Sequence, residues 1–361
     1  MTTTPPRLDR PLRFERVFLE KVWGGRRLAA APDAGGLALD LPDGMQVGET
    51  WELVDRADVQ SVVPQAAADA AWAGPFAGAT LGELVRDHPG DLLGRLDATP
   101  EGRFPLLVKY IDAAEHLSVQ VHPDDVRAAD HADWEAKTEA WVVLGAADEG
   151  RIFHGFEPGT DPEAFAAACR TGAPVDAFLR AFAPRRGECF FVPGGTVHAI
   201  GAGVTLIEVQ QNSDTTFRVN DWGRVGLDGK PRDLHVDQAL ACLDFGPAPE
   251  PVLPPADRAR APHQLAACDA FRMGSVALDP GAPLAGHTHA AAHGPAAADD
   301  GGGEPVVLAV VRGGGVLAHG GGSIDLTTGD VWLLPAALGA WRVEARGGPL
   351  GLVDMRGPAP A

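Results

Sequence analysis

The sequence has few cysteines, few lysines and no long apolar run, and each shortage removes a class of function. Its four cysteines, Cys169, Cys189, Cys242 and Cys268, are scattered without CxxC spacing, which argues against both a disulfide framework and a thiolate metal site. They read as reduced, structural residues. No stretch approaches the ~20 apolar residues that a bilayer-spanning helix requires, so no membrane partner is expected. The polar, Pro-rich start carries Arg7, Arg10 and Arg13 with no apolar segment behind them, unlike a secretory signal, and the expected compartment is the cytosol. Positive charge is also short: 30 Lys and Arg face 49 Asp and Glu, a formal net charge of -19. Such a chain repels the phosphate backbone of nucleic acid, which is therefore not expected as a partner. It offers an anionic ligand no long-range steering either, so a phosphorylated substrate needs cations clustered inside its site.

Glycine (45) and proline (31) are plentiful, and they separate short β-rich runs in the manner of antiparallel sandwiches or barrels. Strands are predicted at Leu106–Ile111, Trp141–Leu144, Cys189–Val192 and Val204–Val209. Helices read as insertions at about 80–100 and 161–183. Thr80-Leu-Gly-Glu83 is a capping box, Asp161-Pro162-Glu163 is an N-cap with Pro in the first turn, and a third helix is predicted over about 237–243. A stiff Pro-rich connector at 245–262 divides the 361 residues into an expected catalytic domain, 1–244, and a C-terminal domain, 263–361. Ala290 to Gly303 reads as a surface loop, and His287, His289 and His293 at its start as unstructured rather than as a second metal site.

A repeat spans the connector. Gly187-Glu-Cys-Phe-Phe-Val-Pro193 and Gly329-Asp-Val-Trp-Leu-Leu-Pro335 share a Gly-acid pair, four apolar residues and a Pro at equal offsets. The pattern sets Ala340 where the first copy has His198, which predicts a second barrel without that polar residue.

The chemistry concentrates in three segments. In Ser118-Val-Gln120-Val-His122-Pro, the period of two of an extended strand sets Ser118, Gln120 and His122 on one face and Val119 and Val121 on the other. Glu139 opens an apolar strand, where its carboxylate can turn inward. Val192-Pro-Gly-Gly-Thr-Val-His198 ends a strand in a tight turn and follows it with an imidazole. Together Gln120, His122, Glu139 and His198 offer two imidazoles, a carboxylate and an amide oxygen, a set suited to zinc and also to manganese or iron(II).

Six motifs, FLEKVWGG (Phe18–Gly25), GETWELVDR (Gly48–Arg56), LSVQVHPDD (Leu117–Asp125), KTEAW (Lys137–Trp141), VPGGTVHAIG (Val192–Gly201) and IEVQQNSDTTFRVNDWGR (Ile207–Arg224), occur in this order. In them the chain resembles type I mannose-6-phosphate isomerases in their shorter bacterial form, from Phe14 to about Leu243. The resemblance implies a mainly β fold of two cupin (jelly-roll) barrels with helical insertions, the C-terminal one degenerate and metal-free. It also implies one zinc ion per chain on Gln120, His122, Glu139 and His198, a phosphorylated hexose as substrate, Lys109, Lys137 and Ser118 in the substrate site, and Glu208 and Arg218 as its acid and arginine. The implied reaction exchanges mannose 6-phosphate and fructose 6-phosphate through a cis-enediol. Family members commonly carry an aromatic at Val142 and tyrosines at Phe217 and Asn220, so this chain departs from the pattern there.

The residues add their own weight. The chain has only four lysines, Lys21, Lys109, Lys137 and Lys230, and two of them fall beside the metal-ligand positions, as a phosphate cradle requires. Lys109 with Ser118 is the expected phosphate grip and Arg218 the expected stabiliser of enediolate charge. Glu208 is the expected base, ahead of Lys137, because a carboxylate shielded in a barrel has its pKa raised. Glu208 and Arg218 stand ten residues apart and share a face if the Asn212-Ser213-Asp214 turn reverses the chain in register. Two other readings are compatible with the same residues: a cupin iron oxygenase, and a sugar-phosphate-binding protein without turnover.

Overall fold

The computed structural model describes residues 6–67, 70, 72–254, 262–287 and 303–359. Short apolar runs punctuated by Gly and Pro form three antiparallel sheets. The first, six-stranded, runs Val17–Gly25, Val47–Leu53, Leu106–Ala113, Val204–Gln211, Glu139–Ala146, Cys189–Val192. The second, five-stranded, runs Phe217–Asn220, Val119–Val121, His198–Ile200, Ile152–Phe156, Leu179–Phe182. The third lies wholly between His263 and Arg356. Its long strands Val306–His319 and Ala340–Arg356 pair centrally and carry five shorter ones.

The alternation of residues along each strand decides what the sheets bury. Val119 and Val121 are fully buried against Phe165 and Cys169 of the helix Pro162–Thr171 and against Ala239 and Cys242 of the helix Val236–Cys242. The opposite face of that second sheet meets the first, where Ile152 and Ile200 pack with Trp141, Val143, Phe190 and Leu206. Helices thus close one side of the sandwich, and the space between the two sheets is left for the polar residues of alternate parity.

The predicted caps form. Thr80 Oγ1 accepts from the Glu83 amide (3.1 Å) and Glu83 returns a bond from the Thr80 amide (2.9 Å), opening the helix Leu81–Asp87. Asp161 accepts from the Glu163 amide at 3.0 Å, and Gly172, in the left-handed region at φ 68, stops that helix. Beyond it the segment expected as a helical insertion to 183 changes character: Asp176–Phe178 is one 3-10 turn, and Leu179–Phe182 joins the second sheet beside Ile152–Phe156. The strand wins because Leu179 is buried there against the apolar face shared with Phe156.

Close contacts divide the chain into two compact units, one of Met1–Val17, Glu52–Leu107 and Pro254–Ala361, the other of Phe18–Trp51 and Val108–Leu253. The last change of unit falls inside the Pro-rich connector. Among the described residues no helix is long and apolar enough to cross a membrane. His289, His293 and most of the Ala290–Gly303 stretch lie outside the described residues, and of His287 only the backbone, closing the strand Pro283–His287, is described.

Candidate active site and metal centre

Register brings the predicted residues together. Gln120 stands opposite Arg218 on one neighbouring strand and opposite His198 on the other, and His198 stands opposite His154. These four form one row across the second sheet. From the first sheet Glu139 opens its strand, with Gln210 and Val192 as neighbours. The ligand atoms of His122, Glu139 and His198 all lie within 4.8 Å of one another, and all three residues are buried. His122 Nε2 is 3.6 Å from Glu139 Oε2, and His198 Nε2 is 3.4 Å from Glu139 Oε1.

The tautomers follow from the backbone. His122 Nδ1 lies 2.8 Å from the Thr215 carbonyl and His198 Nδ1 lies 2.9 Å from the Thr196 carbonyl. A carbonyl only accepts, so each Nδ1 carries its hydrogen and each Nε2 keeps a lone pair. Burial, then the nearby Lys137 ammonium, holds the His122 pKa well below its usual range. Burial likewise lowers His198 to about 4. Both rings are neutral at physiological pH, the state that binds metal. Glu139 Oε2 is buried and makes no hydrogen bond, while Lys137 Nζ sits 3.1 Å from it and 3.1 Å from His122 Nε2. An ammonium already drawn against two of the three donors marks a site of the right polarity for a divalent cation. Gln120 stands beside them with its amide nitrogen 3.2 Å from His198 Nε2, and a half-turn of that amide brings Oε1 inward. The residues present therefore fit a divalent metal, on donor chemistry that does not choose the element.

Around the trio lies a cavity of about 280 Å³, the scale of a small-molecule site. Its wall includes Lys109, Ser118, Gln120, Lys137, Glu139, Glu208 and Arg218, so the predicted residues other than the two buried histidines line one space. Lys109 is sandwiched between carboxylates, 3.1 Å from Glu208 and 3.8 Å from Glu49. Burial pushes the Glu208 pKa up, and the like charge of Glu139 adds to it; the result stands at about 7 despite Lys109 and Lys137. Glu49 is opposite in outcome: burial raises it, but Lys109 and Lys21 outweigh that and hold it at about 2. Ser118 Oγ donates to Gln120 Oε1 at 3.2 Å.

One expectation is corrected. The strand Phe217–Asn220 does not fold back beside Val204–Gln211; it crosses to the second sheet and pairs with Val119–Val121. Glu208 and Arg218 line the same cavity from different sheets, not from one hairpin face. The departures at Val142, Phe217 and Asn220 are also placed: none lines the cavity. Val142 and Phe217 are buried in cores, and Asn220 bonds the Trp222 amide and the Ala173 carbonyl. Lys21, Trp23, Glu49 and Trp51, which fall in the quoted motifs without a role assigned there, and Arg232, which falls in none, also line the cavity. Glu49 and Trp51 alternate on the strand Val47–Leu53, and Trp51 Nε1 donates to Glu49 at 2.7 Å. That period of two within GETWEL was the available signal.

A buried two-histidine, one-carboxylate trio that could hold a metal ion stands in a mainly β sandwich beside a small-molecule cavity lined by lysines, arginines and carboxylates, the arrangement of a metal-site β protein. Residues 12–140 match the family model for the catalytic domain of type I phosphomannose isomerase. Mannose-6-phosphate isomerase ManA of Bacillus subtilis is 38% identical over 241 residues, covering 66% of this chain and 70% of that one. The mannose-6-phosphate isomerase of Streptococcus mutans is 35% identical over 236 residues, 65% and 68% of the two chains. The crystal structure of mannose 6-phosphate isomerase from Bacillus subtilis superposes with a TM-score of 0.73 at 26% identity, covering 96% of this chain and 99% of that one. This chain belongs to the type I mannose-6-phosphate isomerase family.

Proposed function

We propose that the protein is a metal-dependent aldose–ketose isomerase that interconverts mannose 6-phosphate and fructose 6-phosphate through a cis-enediol. One observation carries this reading: the His122–Glu139–His198 trio and a buried carboxyl with a pKa near 7, Glu208, meet at one cavity. His122, Glu139 and His198, with Gln120 after its half-turn, would hold one zinc ion, which when bound supplies Lewis acidity toward a carbonyl or hydroxyl oxygen.

Aldose–ketose exchange takes a proton from the carbon beside the carbonyl and returns it to the neighbouring carbon. Glu208 suits both acts, since a group with a pKa of about 7 accepts and releases protons with similar ease at neutral pH. Lys109, 3.1 Å away, fixes the orientation of its carboxylate. Lys137 is the second choice as base, ranked lower because its Nζ is committed to Glu139 and His122. Arg218, opposite Gln120, presents a planar fork to the substrate oxygens on which negative charge develops. Ser118 and Lys109 form the wall beside them, Ser118 holding the Gln120 amide.

The same reading takes the fold as two cupin barrels, 1–244 catalytic and 263–361 degenerate and without a metal, joined by 245–262, in a cytosolic protein. It is supported by the confinement of two sheets to residues 17–220 and of the third to 263–356. The same donor trio would serve an iron oxygenase, but that chemistry has no use for three lysines in the cavity.

The test is a coupled assay with mannose 6-phosphate. Prolonged chelation is expected to abolish turnover and zinc to restore it. Full activity in a demonstrably metal-free sample would end the metal assignment, and no turnover in zinc-loaded protein would end the isomerase assignment.

A further inference from the structure

Three of the chain's four lysines line the cavity, and each is already matched by a carboxylate. Lys21 pairs with Glu49 at 3.5 Å, Lys109 with Glu208 at 3.1 Å and Glu49 at 3.8 Å, and Lys137 with Glu139 at 3.1 Å. Three ammonium groups facing three carboxylates leave little field for a further anion. A phosphate group needs uncancelled positive charge, and here that charge is carried by guanidinium.

Arg218 and Arg232 line the same cavity. Among the described residues no carboxylate ion-pairs with Arg218; its Nη1 donates to the Asp233 carbonyl at 3.1 Å, and its buried Nε has no hydrogen-bond partner. Arg232 is clamped by Asp221, Nε to Oδ2 at 2.7 Å and Nη2 to Oδ1 at 2.5 Å. Asp221 also takes Arg224, at 3.0 and 2.7 Å, so two guanidinium groups share one carboxylate and a positive charge is left over. Asp214 also lines the cavity; it and Asp233 belong to exposed residues, where water screens their charge. Burial first, then repulsion from Arg232, lowers the Arg218 pKa; an incoming anion relieves that crowding.

The loop that carries Arg232 is fixed in advance. Trp222 is held in the left-handed region at φ 58, a strained conformation for a bulky residue. Asn220 stabilises it by accepting from its amide at 2.8 Å, while the indole Nε1 donates to the Leu117 carbonyl at 2.6 Å. Val225 bridges to Pro231, and the Gly226 amide donates to the Lys230 carbonyl at 2.7 Å. A cation so placed loses little freedom when it binds.

We infer that Arg232, held by Asp221, is the residue that makes this cavity prefer a phosphorylated sugar over a neutral one, donating to the phosphate from the Nη1 that Asp221 leaves unused. The inference rests on the isomerase reading for its ligand, and it relocates the phosphate grip from Lys109 and Ser118 to the arginine end of the cavity.

The experiment is calorimetric binding of fructose 6-phosphate and of inorganic phosphate to the zinc-loaded full chain, wild type against Arg232→Gln. Loss of one charge-assisted contact should raise both dissociation constants about tenfold to a hundredfold, with zinc content retained and KM rising by more than kcat falls. Arg232→Lys, which keeps the charge and loses the fork, should fall between the two and serves as the readout if the Gln variant does not fold. Affinities within about twofold of wild type in both variants would overturn the proposal, as would loss of zinc and ligand together. So would a wild type that binds fructose 6-phosphate no better than fructose. Binding is read without turnover, so a wild type that binds the phosphorylated sugar but does not isomerise it counts against the isomerase reading and not against Arg232.

Discussion

The strands Cys189–Val192 and Val331–Leu334 both enter a turn through proline, yet the first delivers a buried His198 to a charged cavity and the second delivers an exposed Ala340 to a strand whose inner face is apolar. Around the first, Lys109, Lys137, Glu139 and Glu208 are all nearly inaccessible. Around the second, Trp332, Trp341, Val343 and Leu308 fill the interior, and the buried ions Glu304 and Arg356, with the half-buried Arg272, lie outside that core cluster. Taking a charge out of water costs several kcal/mol per ion even after relaxation, whereas each large apolar side chain removed from water contributes about 1.5–3 kcal/mol. Similar strand grammar therefore serves opposite ends: one interior gives up cohesion to hold reactive groups, and the other supplies cohesion.

Breaking the first half should have the largest effect. His198→Ala removes one of two imidazoles from the trio, and bound metal is expected to fall well below one per chain by elemental analysis, with activity lost. Ala340→His should add no second equivalent, because a lone imidazole without partner ligands binds weakly. A second equivalent would mean that the C-terminal half retains a hidden ligand set.

Next in size is proton transfer. The Glu208 pKa is raised to about 7, and only its ionised form is a base, so kcat/KM should fall as pH drops through 7 and level off above it. Glu208→Gln should lower kcat by about 10²–10⁴-fold and abolish that acid limb. A limb that survives in the variant at the same pH would assign it to another group.

The smallest effect sharpens the contrast from the other side. Leu308→Ala opens a cavity in the third sheet's core and should cost about 2–5 kcal/mol in denaturant unfolding, while metal binding by the folded fraction should be unchanged. Metal loss at low denaturant would show that the two interiors are not independent.

How much of this was legible in the sequence depended on range. Ser118, Gln120 and His122 were readable because alternation is local, and so were the caps at Thr80 and Asp161, whose bonds span two or three residues. The destination of Phe217–Asn220 was not, since turn chemistry at Asn212–Asp214 says that the chain changes direction and not which sheet receives it. The pairing of Lys109 with both Glu49 and Glu208 was equally hidden: its partners lie 60 and 99 residues away in sequence, and only the assembled sheet brings them within 4 Å. Arg232 went unnoticed because an arginine in a Gly- and Asp-rich hairpin reads as solvated.

The Nδ1 bonds of His122 and His198 end on the main-chain carbonyls of Thr215 and Thr196. A carbonyl cannot be deleted by a codon change, so no single substitution at either threonine takes away the acceptor that sets the ring's tautomer. The orientation of both imidazoles is therefore inherited with the path of the backbone. Drift at positions 196 and 215 should tilt the rings slightly without reversing them, and only replacement of a histidine itself, or a shift of the turn that carries the carbonyl, would silence the pair.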